Sequence, residues 1–396
     1  MSLPGPSRGG RLRLGIVHPE IESFDEYHGG AIARWTAEIA RRAPPWVDLD
    51  VITKRPRSSP YRGVRARVVP IRTSVLDRIP GARRYAIHWF TPEMRHYVRH
   101  GRYDVLHVHA RPQWVLPLRS DGFTGRLLLH LQNDHLGSWL VGEKEELLSH
   151  CDRVLCCSDY IRRRTVGLET IGDPTPNPIS SAGAARVVTL HNGVDTARFH
   201  PPPAPRDATA LATIAYLGRV VPEKAPHLTM EAVLRLRREG LPARMMIVGA
   251  HDFGAFTATP YIARLREIAA RDPSAFRFAG YVHHRRLPEV LGYAGIYVHA
   301  CTWQEPFGLA TVEAMSCGLA PLASRRGGNP EVVGDEEALF DLREDPDSIV
   351  ALLGSLIRDP SRTVEHGRRA RERARTLFDW DRIASDYFAG LRSLCS

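Results

Sequence analysis

The feature that most constrains the fold is a strand–helix alternation that runs along the chain twice, with a proline-rich break between the runs. In the first run, the apolar segments LRLGIV (12–17), LDVIT (49–53), ARVVPI (66–71), DVLHVH (104–109), LLLHLQ (127–132) and VLCCS (154–158) alternate with helical patterns. Two of these helices are AIARWTAEIARR from Ala31 and SDYIRRRTVG from Ser158, and VVTLHNGVD (187–195) closes the run. Short apolar runs bounded by turn residues suit strands buried on both faces of a parallel sheet. PPPAPRDA (201–208) then reads as a stiff linker. The pattern restarts with TIAYLG (213–218), ARMMIVG (243–249), FRFAG (276–280), GIYVHA (295–300) and APLAS (320–324). This predicts an α/β chain of two doubly wound Rossmann-like domains facing each other across a cleft, with ligands outside the carboxyl ends of the strands. The expected divisions are 1–200, 201–378 and a last helix, 379–396, that crosses back to the first domain.

The composition, 43% hydrophobic and 25% charged, is that of a soluble globular protein. The sequence has no run of eighteen apolar residues and no apolar leader before its first strand, so a cytoplasmic protein is expected. The six cysteines lack the spacing of a zinc motif or a disulfide framework and read as reduced. The net charge of +10 is concentrated early, with 12 basic and 2 acidic residues in 51–100. That field could attract an acidic acceptor, nucleic acid or an anionic membrane, the last through a helix bearing Trp89, Phe90, Arg95 and Arg99; an arginine-rich solvated face explains it equally. No recognition motif accompanies the charge, so nucleic acid is not an expected partner.

The chemistry concentrates after GIYVHA, in CTWQEPFGLATVEAMSCG (301–318). Glu305 lies in a polar turn, and a helix opens near Phe307, Gly308 and Leu309, whose backbone N–H groups could face a ligand. Glu313 follows eight residues after Glu305, and both carboxylates could accept sugar or ribose hydroxyls. Either glutamate alone reads as an ordinary helix residue. Arg219 and Lys224, five apart in the loop after TIAYLG, could reach the same phosphates. Neither a P-loop nor a GxGxxG fingerprint is present. In the first run, Gly29 and Gly30 precede a helix and offer a second resting place for a phosphate. Histidines gather at strand ends (His107, His109, His130 and His135), yet no HExxH or compact ligand triad is visible, so no metal site is assigned. Polyol hydroxyls suit such a cleft better.

These segments resemble the retaining GT-B glycosyltransferases that use nucleotide sugars. The resemblance is carried by HNGVDTARF (191–199), YLGRVVPEK (216–224), FAGYV (278–282), QEPFGLATVEAMSCG (304–318), RRGGNPEVV (325–333) and LFDWDRIASDY (377–387), and more locally by HGGAIARW (28–35), DVLHVHARPQ (104–113) and LCCSDYIRRR (155–164). It implies that Glu313 binds the ribose, Glu305 contacts the donor sugar, and Arg219 and Lys224 neutralise the departing diphosphate. Tyr281 and Val282 would lie beside the base. Where family members often carry a histidine after the strand equivalent to LLLHLQ, this sequence has Gln132, flanked by His130 and His135.

The implied reaction moves a hexosyl-type sugar from a nucleotide diphosphate donor, a UDP-sugar before a GDP-sugar, to a hydroxyl of a glycan, a lipid-linked acceptor or a small molecule. Retention and metal independence come with the resemblance, and no cofactor is implied. A GT-B-like epimerase or phosphorylase, or a non-catalytic nucleotide-sugar-binding or coat-associated protein, would share the architecture.

Overall fold

The computed structural model describes residues 10–26, 30–56, 58–71, 83–171, 176–250, 259–342 and 346–396, with the side chains of 83–91 outside that description. Gly29 therefore lies outside the described residues, as do the Trp89 and Phe90 side chains. The chain forms two units, one of Met1–Asn192 with Asp381–Ser396, the other of Gly193–Trp380.

The first unit is built on seven parallel strands: β1 (Leu12–Val17), β2 (Val47–Lys54), β3 (Arg67–Ile71), β4 (Val105–His109), β5 (Arg126–Leu131), β6 (Arg153–Cys156) and β7 (Val187–Thr189). Their order is β3-β2-β1-β4-β5-β6-β7, so the sheet grows outward in both directions from β1 and β4. All five residues of β4 are buried, as a strand covered on both faces requires. The helix Ala31–Arg41 buries Ala33, Trp35, Thr36, Ala37, Ile39 and Ala40 against the sheet. Ser158 caps the helix Asp159–Val166, its hydroxyl accepting the Ile161 N–H at 3.1 Å, and Gly167 in the left-handed region ends it. The final helix, Trp380–Cys395, gives this unit the buried Tyr387, whose ring packs on Trp35 and His107.

The second unit has six parallel strands: β8 (Thr213–Leu217), β9 (Arg244–Val248), β10 (Phe276–Gly280), β11 (Ile296–His299), β12 (Ala320–Ser324) and β13 (Leu339–Phe340). Their order is β10-β9-β8-β11-β12-β13. The order reverses between β8 and β11, which pair in parallel through Ile296 and Ile214. At such a switch point the loops leaving the two strands diverge and open a crevice. The two-residue β13 is absent from the sequence reading, being too short to show a period. A short helix, Ser181–Ala184, capped by the Ser180 hydroxyl, precedes β7.

The basic region is less available than its charge suggests. Arg95 and Arg99 both pair with Asp121, and Arg67 pairs with Asp50. Among the described residues, no helix is long and apolar enough to cross a membrane.

Candidate functional site

The switch point of the second sheet brings together residues far apart in sequence. From the loop after β8 come Arg219, which is exposed, and Lys224, which ends a 3-10 turn at Pro222–Lys224. From the turn after β11 comes Glu305, only 8% exposed. Lys224 and Glu305 form an ion pair. The Glu305 carboxylate also accepts from Trp303 Nε1 at 3.0 Å and lies 3.1 Å from His299 Nε2. All three donors meet Oε2, and among the described residues Oε1 takes no hydrogen bond. The Lys224 ammonium lies 4.9 Å from the centre of the Trp303 ring, a cation–π distance.

Burial alone would raise the Glu305 pKa, but the hydrogen bond and charge of His299 and the charge of Lys224 outweigh it and hold the carboxyl well below its ordinary range. Burial likewise favours neutral His299; Tyr297, Cys301 and Glu305 override this and hold its pKa above the ordinary value. The site therefore contains a fixed carboxylate gripped by two cations.

The backbone under Glu305 is clamped by the next turn. Gly328 N–H donates to the Glu305 carbonyl at 2.7 Å, and Gly327 N–H donates to Gln304 Oε1 at 2.7 Å. Gly327 has φ +59°, and a Cβ there would lie 2.1 Å from the Glu305 carbonyl oxygen. Gly327→Ala is expected to lower unfolding stability by about 1–3 kcal/mol or more, because left-handed strain and a backbone clash add. Urea denaturation reads it, and an unchanged midpoint would show that the turn is not a clamp.

The helix after this turn is Leu309–Ser316, with Gly308 at its N-cap at φ +99°. Phe307 is buried, its ring edge-on to Phe378 at 5.5 Å, so its role is partly packing. Glu313 is 8% exposed, not solvated, and His284 Nε2 lies 2.7 Å from its Oε1. Glu305 and Glu313 thus have separate partners. Exposed Tyr281 and half-buried Val282 follow β10, two residues before His284.

The first unit departs from the sequence expectations. Ala33 N–H donates to Glu22 Oε1 at 3.0 Å, and a Cβ on Gly30 would meet that same oxygen at 2.9 Å. The Glu22 carboxyl group therefore occupies the helix start that Gly30 was expected to offer a phosphate. His107, His109 and His130 are fully buried and line no open polyol-binding surface. They do form a compact group, with one ring nitrogen from each within 4.8 Å of the others, which corrects the reading that no such triad exists. Burial pushes His130 down to about 3 and His107 and His109 well below the usual range. Gln132 is held at both ends of its amide, 3.0 Å from His130 Nε2 and 2.8 Å from Asn192. His135 is half-buried, its Nε2 has no partner among the described residues, and burial followed by the charge of Arg111 lowers its pKa.

Sequence reasoning missed His299, Trp303 and His284. His299 sits in an apolar strand, where it reads as filler, and Trp303 and His284 have no local pattern. The available signal was their position at the carboxyl ends of β11 and β10.

Comparison with known proteins agrees with this architecture. Residues 205–376 match the model of the glycosyl transferases group 1. The chain is 27% identical over 404 residues to D-inositol 3-phosphate glycosyltransferase 2 of Catenulispora acidiphila, covering 94% of this chain and 85% of that protein. It is 24% identical over 305 residues to spore coat protein SA of Bacillus subtilis, covering 73% and 78% respectively. Among solved structures, Anabaena Alr3699/HepE in complex with UDP-glucose superposes with a TM-score of 0.68 at 16% identity, over 96% of this chain and 99% of that one. Two units, each with a parallel sheet flanked by helices, and this likeness establish the GT-B fold. The likeness to the glycosyl transferases group 1 lies in the second unit, over residues 205–376.

Proposed function

We propose that the protein transfers a hexosyl-type sugar from a nucleotide diphosphate donor, with a UDP-sugar favoured, to an acceptor hydroxyl with retention at the anomeric carbon. The observation that carries this reading is the meeting of Lys224 and Glu305 at the switch point, with Arg219 in the same loop as Lys224. Breaking the bond from sugar to diphosphate places charge on the outer phosphate. Cations fixed beforehand stabilise that charge without reorganisation. Lys224 uses one donor on Glu305 and has two left for phosphate oxygens. Arg219 carries no ion pair among the described residues and supplies a planar fork for the same group.

Glu305 has Oε1 free to accept a sugar hydroxyl, while its bonded Oε2 keeps the carboxylate in place. Glu313, steadied by His284, suits the ribose hydroxyls, and Tyr281 and Val282 suit the base. The backbone around Gly308 and Leu309 extends the phosphate contact at a helix N-terminus. The departing phosphate oxygen takes the acceptor proton, so neither a separate base nor a divalent ion is required at the reacting carbon. Gln132 and His135 are the first unit's candidates for contact with the sugar.

Thermal unfolding in the presence of UDP-, GDP- and ADP-sugars tests the donor assignment. A ligand at 100 times its dissociation constant stabilises by about 2.7 kcal/mol, so a UDP-sugar should raise the melting temperature by several degrees. The rise should vanish in Lys224→Ala. A flat response to all three donors would remove the basis for a nucleotide-sugar site. Binding without UDP release in the presence of varied acceptors would favour a nucleotide-sugar-binding protein over a transferase. The spore coat relative and the bound UDP-glucose of the structural neighbour give that comparison its interest.

A further inference from the structure

We propose that His107, His109 and His130 hold one divalent transition-metal ion, with zinc the best chemical match. His107 and His109 are two apart on β4 and project from the same face. In the β4–β5 ladder, His109 pairs in register with His130, so the neighbouring strand brings the third ring alongside. The ring centres are 4.4 Å apart for His107 and His109, 4.9 Å for His109 and His130, and 5.2 Å for His107 and His130. A histidine pair at alternate positions of one strand, joined by a third from the next strand, converges three imidazoles on one point. Three imidazoles with an open fourth position are an established zinc donor set.

The unpaired atoms give independent support. Among the described residues, His107 Nε2, both nitrogens of His109 and His130 Nδ1 are buried without a hydrogen-bond partner. Buried polar atoms without partners are uncommon, and an ion held by one nitrogen of each ring would account for three of these four. The other nitrogens of the outer two rings are anchored. His107 Nδ1 lies 2.7 Å from the Tyr387 hydroxyl, and His130 Nε2 lies 3.0 Å from the Gln132 amide. The two ends of an amide have the same shape. With its oxygen toward His130, Gln132 accepts the Nε2–H and leaves Nδ1 as a free donor to metal. The Asn192 amide, whose nitrogen faces Gln132 at 2.8 Å, turns over in the same way, so that its otherwise unpartnered oxygen accepts from the Gln132 NH2. Such outer partners fix which ring nitrogen faces an ion. The Trp35 indole packs on all three rings at 4.9–5.1 Å, and one enclosed water would complete the four-coordinate set. Binding would draw the three nitrogens together by on the order of 1 Å, within reach of ring rotation.

The experiment uses the full chain, stripped by a chelator and titrated with Co2+, whose ligand-field bands report coordination. The expected result is strong visible absorption of a near-tetrahedral site, saturating at about one ion per chain, and its loss on adding Zn2+. His109→Asn and, separately, His130→Asn should abolish the bands. The double change His96→Asn with His100→Asn should leave them intact. Those two exposed rings, 4.3 Å apart on one helix, are the obvious place for adventitious metal. Absence of bands in the native chain would overturn the proposal and favour trapped water. Bands that survive both core changes, or that disappear with the surface pair, would overturn it too. If neither core variant folds, the native spectrum decides: strong tetrahedral absorption supports the site, and the faint bands of an octahedral surface ion refute it.

Discussion

Glu305→Ala is expected to lower unfolding stability by about 3–5 kcal/mol and to abolish sugar transfer. Removing the carboxylate strands two cations, Lys224 and a His299 that is 6% exposed, beside one another in a site largely closed to solvent. An unpaired buried charge costs more than the pair contributed. Glu305→Gln keeps the volume and an acceptor oxygen but loses the charge, so its stability should fall between wild type and alanine.

The pH dependence of this difference identifies the charged partners. The folded pKa of Glu305 is depressed, so its contribution is present above its ordinary value of 4.5 and is lost as pH falls through the depressed one. That of His299 is raised, so its contribution is full below its ordinary value of 6.5 and is lost as pH rises through the raised one. The stability gap between wild type and Glu305→Ala should therefore be widest between those ordinary values and narrow on both sides. Urea midpoints measured across pH read this directly. A gap that does not vary with pH would mean that the three groups do not form a charged cluster.

The second large effect is on rate. Lys224→Ala should reduce kcat for UDP release by about 10²–10³, the cost of removing one fixed donor from a developing oxyanion. Stability should suffer less than in Glu305→Ala, since His299 and Trp303 still hold the Glu305 carboxylate. A turnover within about threefold of wild type would remove Lys224 from the leaving-group role, because even a modest charge-assisted bond is worth more. Arg219→Ala should act in the same direction. Its guanidinium is exposed and more easily replaced by water, so the loss should be smaller.

The contrast between what could and could not be read in the sequence has a physical origin. β4, β5, β11 and β12 announce themselves because a strand buried on both faces must be apolar nearly throughout, and the partly buried β3 and β10 at the sheet edges still stand out between turn residues. Arg219, Lys224, Glu305 and Glu313 stand out because polar residues at strand ends interrupt that pattern. What stays hidden is pairing across sequence distance. Nothing near Lys224 indicates that Glu305, 81 residues on, will take its charge. Nothing in the HGGAIARW segment reveals that Glu22 fills the helix start. The three histidines of β4 and β5 look like scattered strand residues until the register of the two strands is known. Gly327 reads as one half of an ordinary turn; its purpose depends on the Glu305 backbone lying against it.

The division of the chain also bears on its biogenesis. The second unit is continuous, Gly193–Trp380, whereas the first is completed only by Asp381–Ser396. Synthesis proceeds from the N-terminus, and a segment can join a core only after it has left the ribosome. The seven strands of the first sheet emerge early but wait for Tyr387, the hydroxyl partner of His107 and a neighbour of Trp35, until the second unit has been made. The later-made unit can therefore finish folding while the earlier one remains open at its centre. Acquisition of the native first unit therefore follows synthesis of the whole second unit.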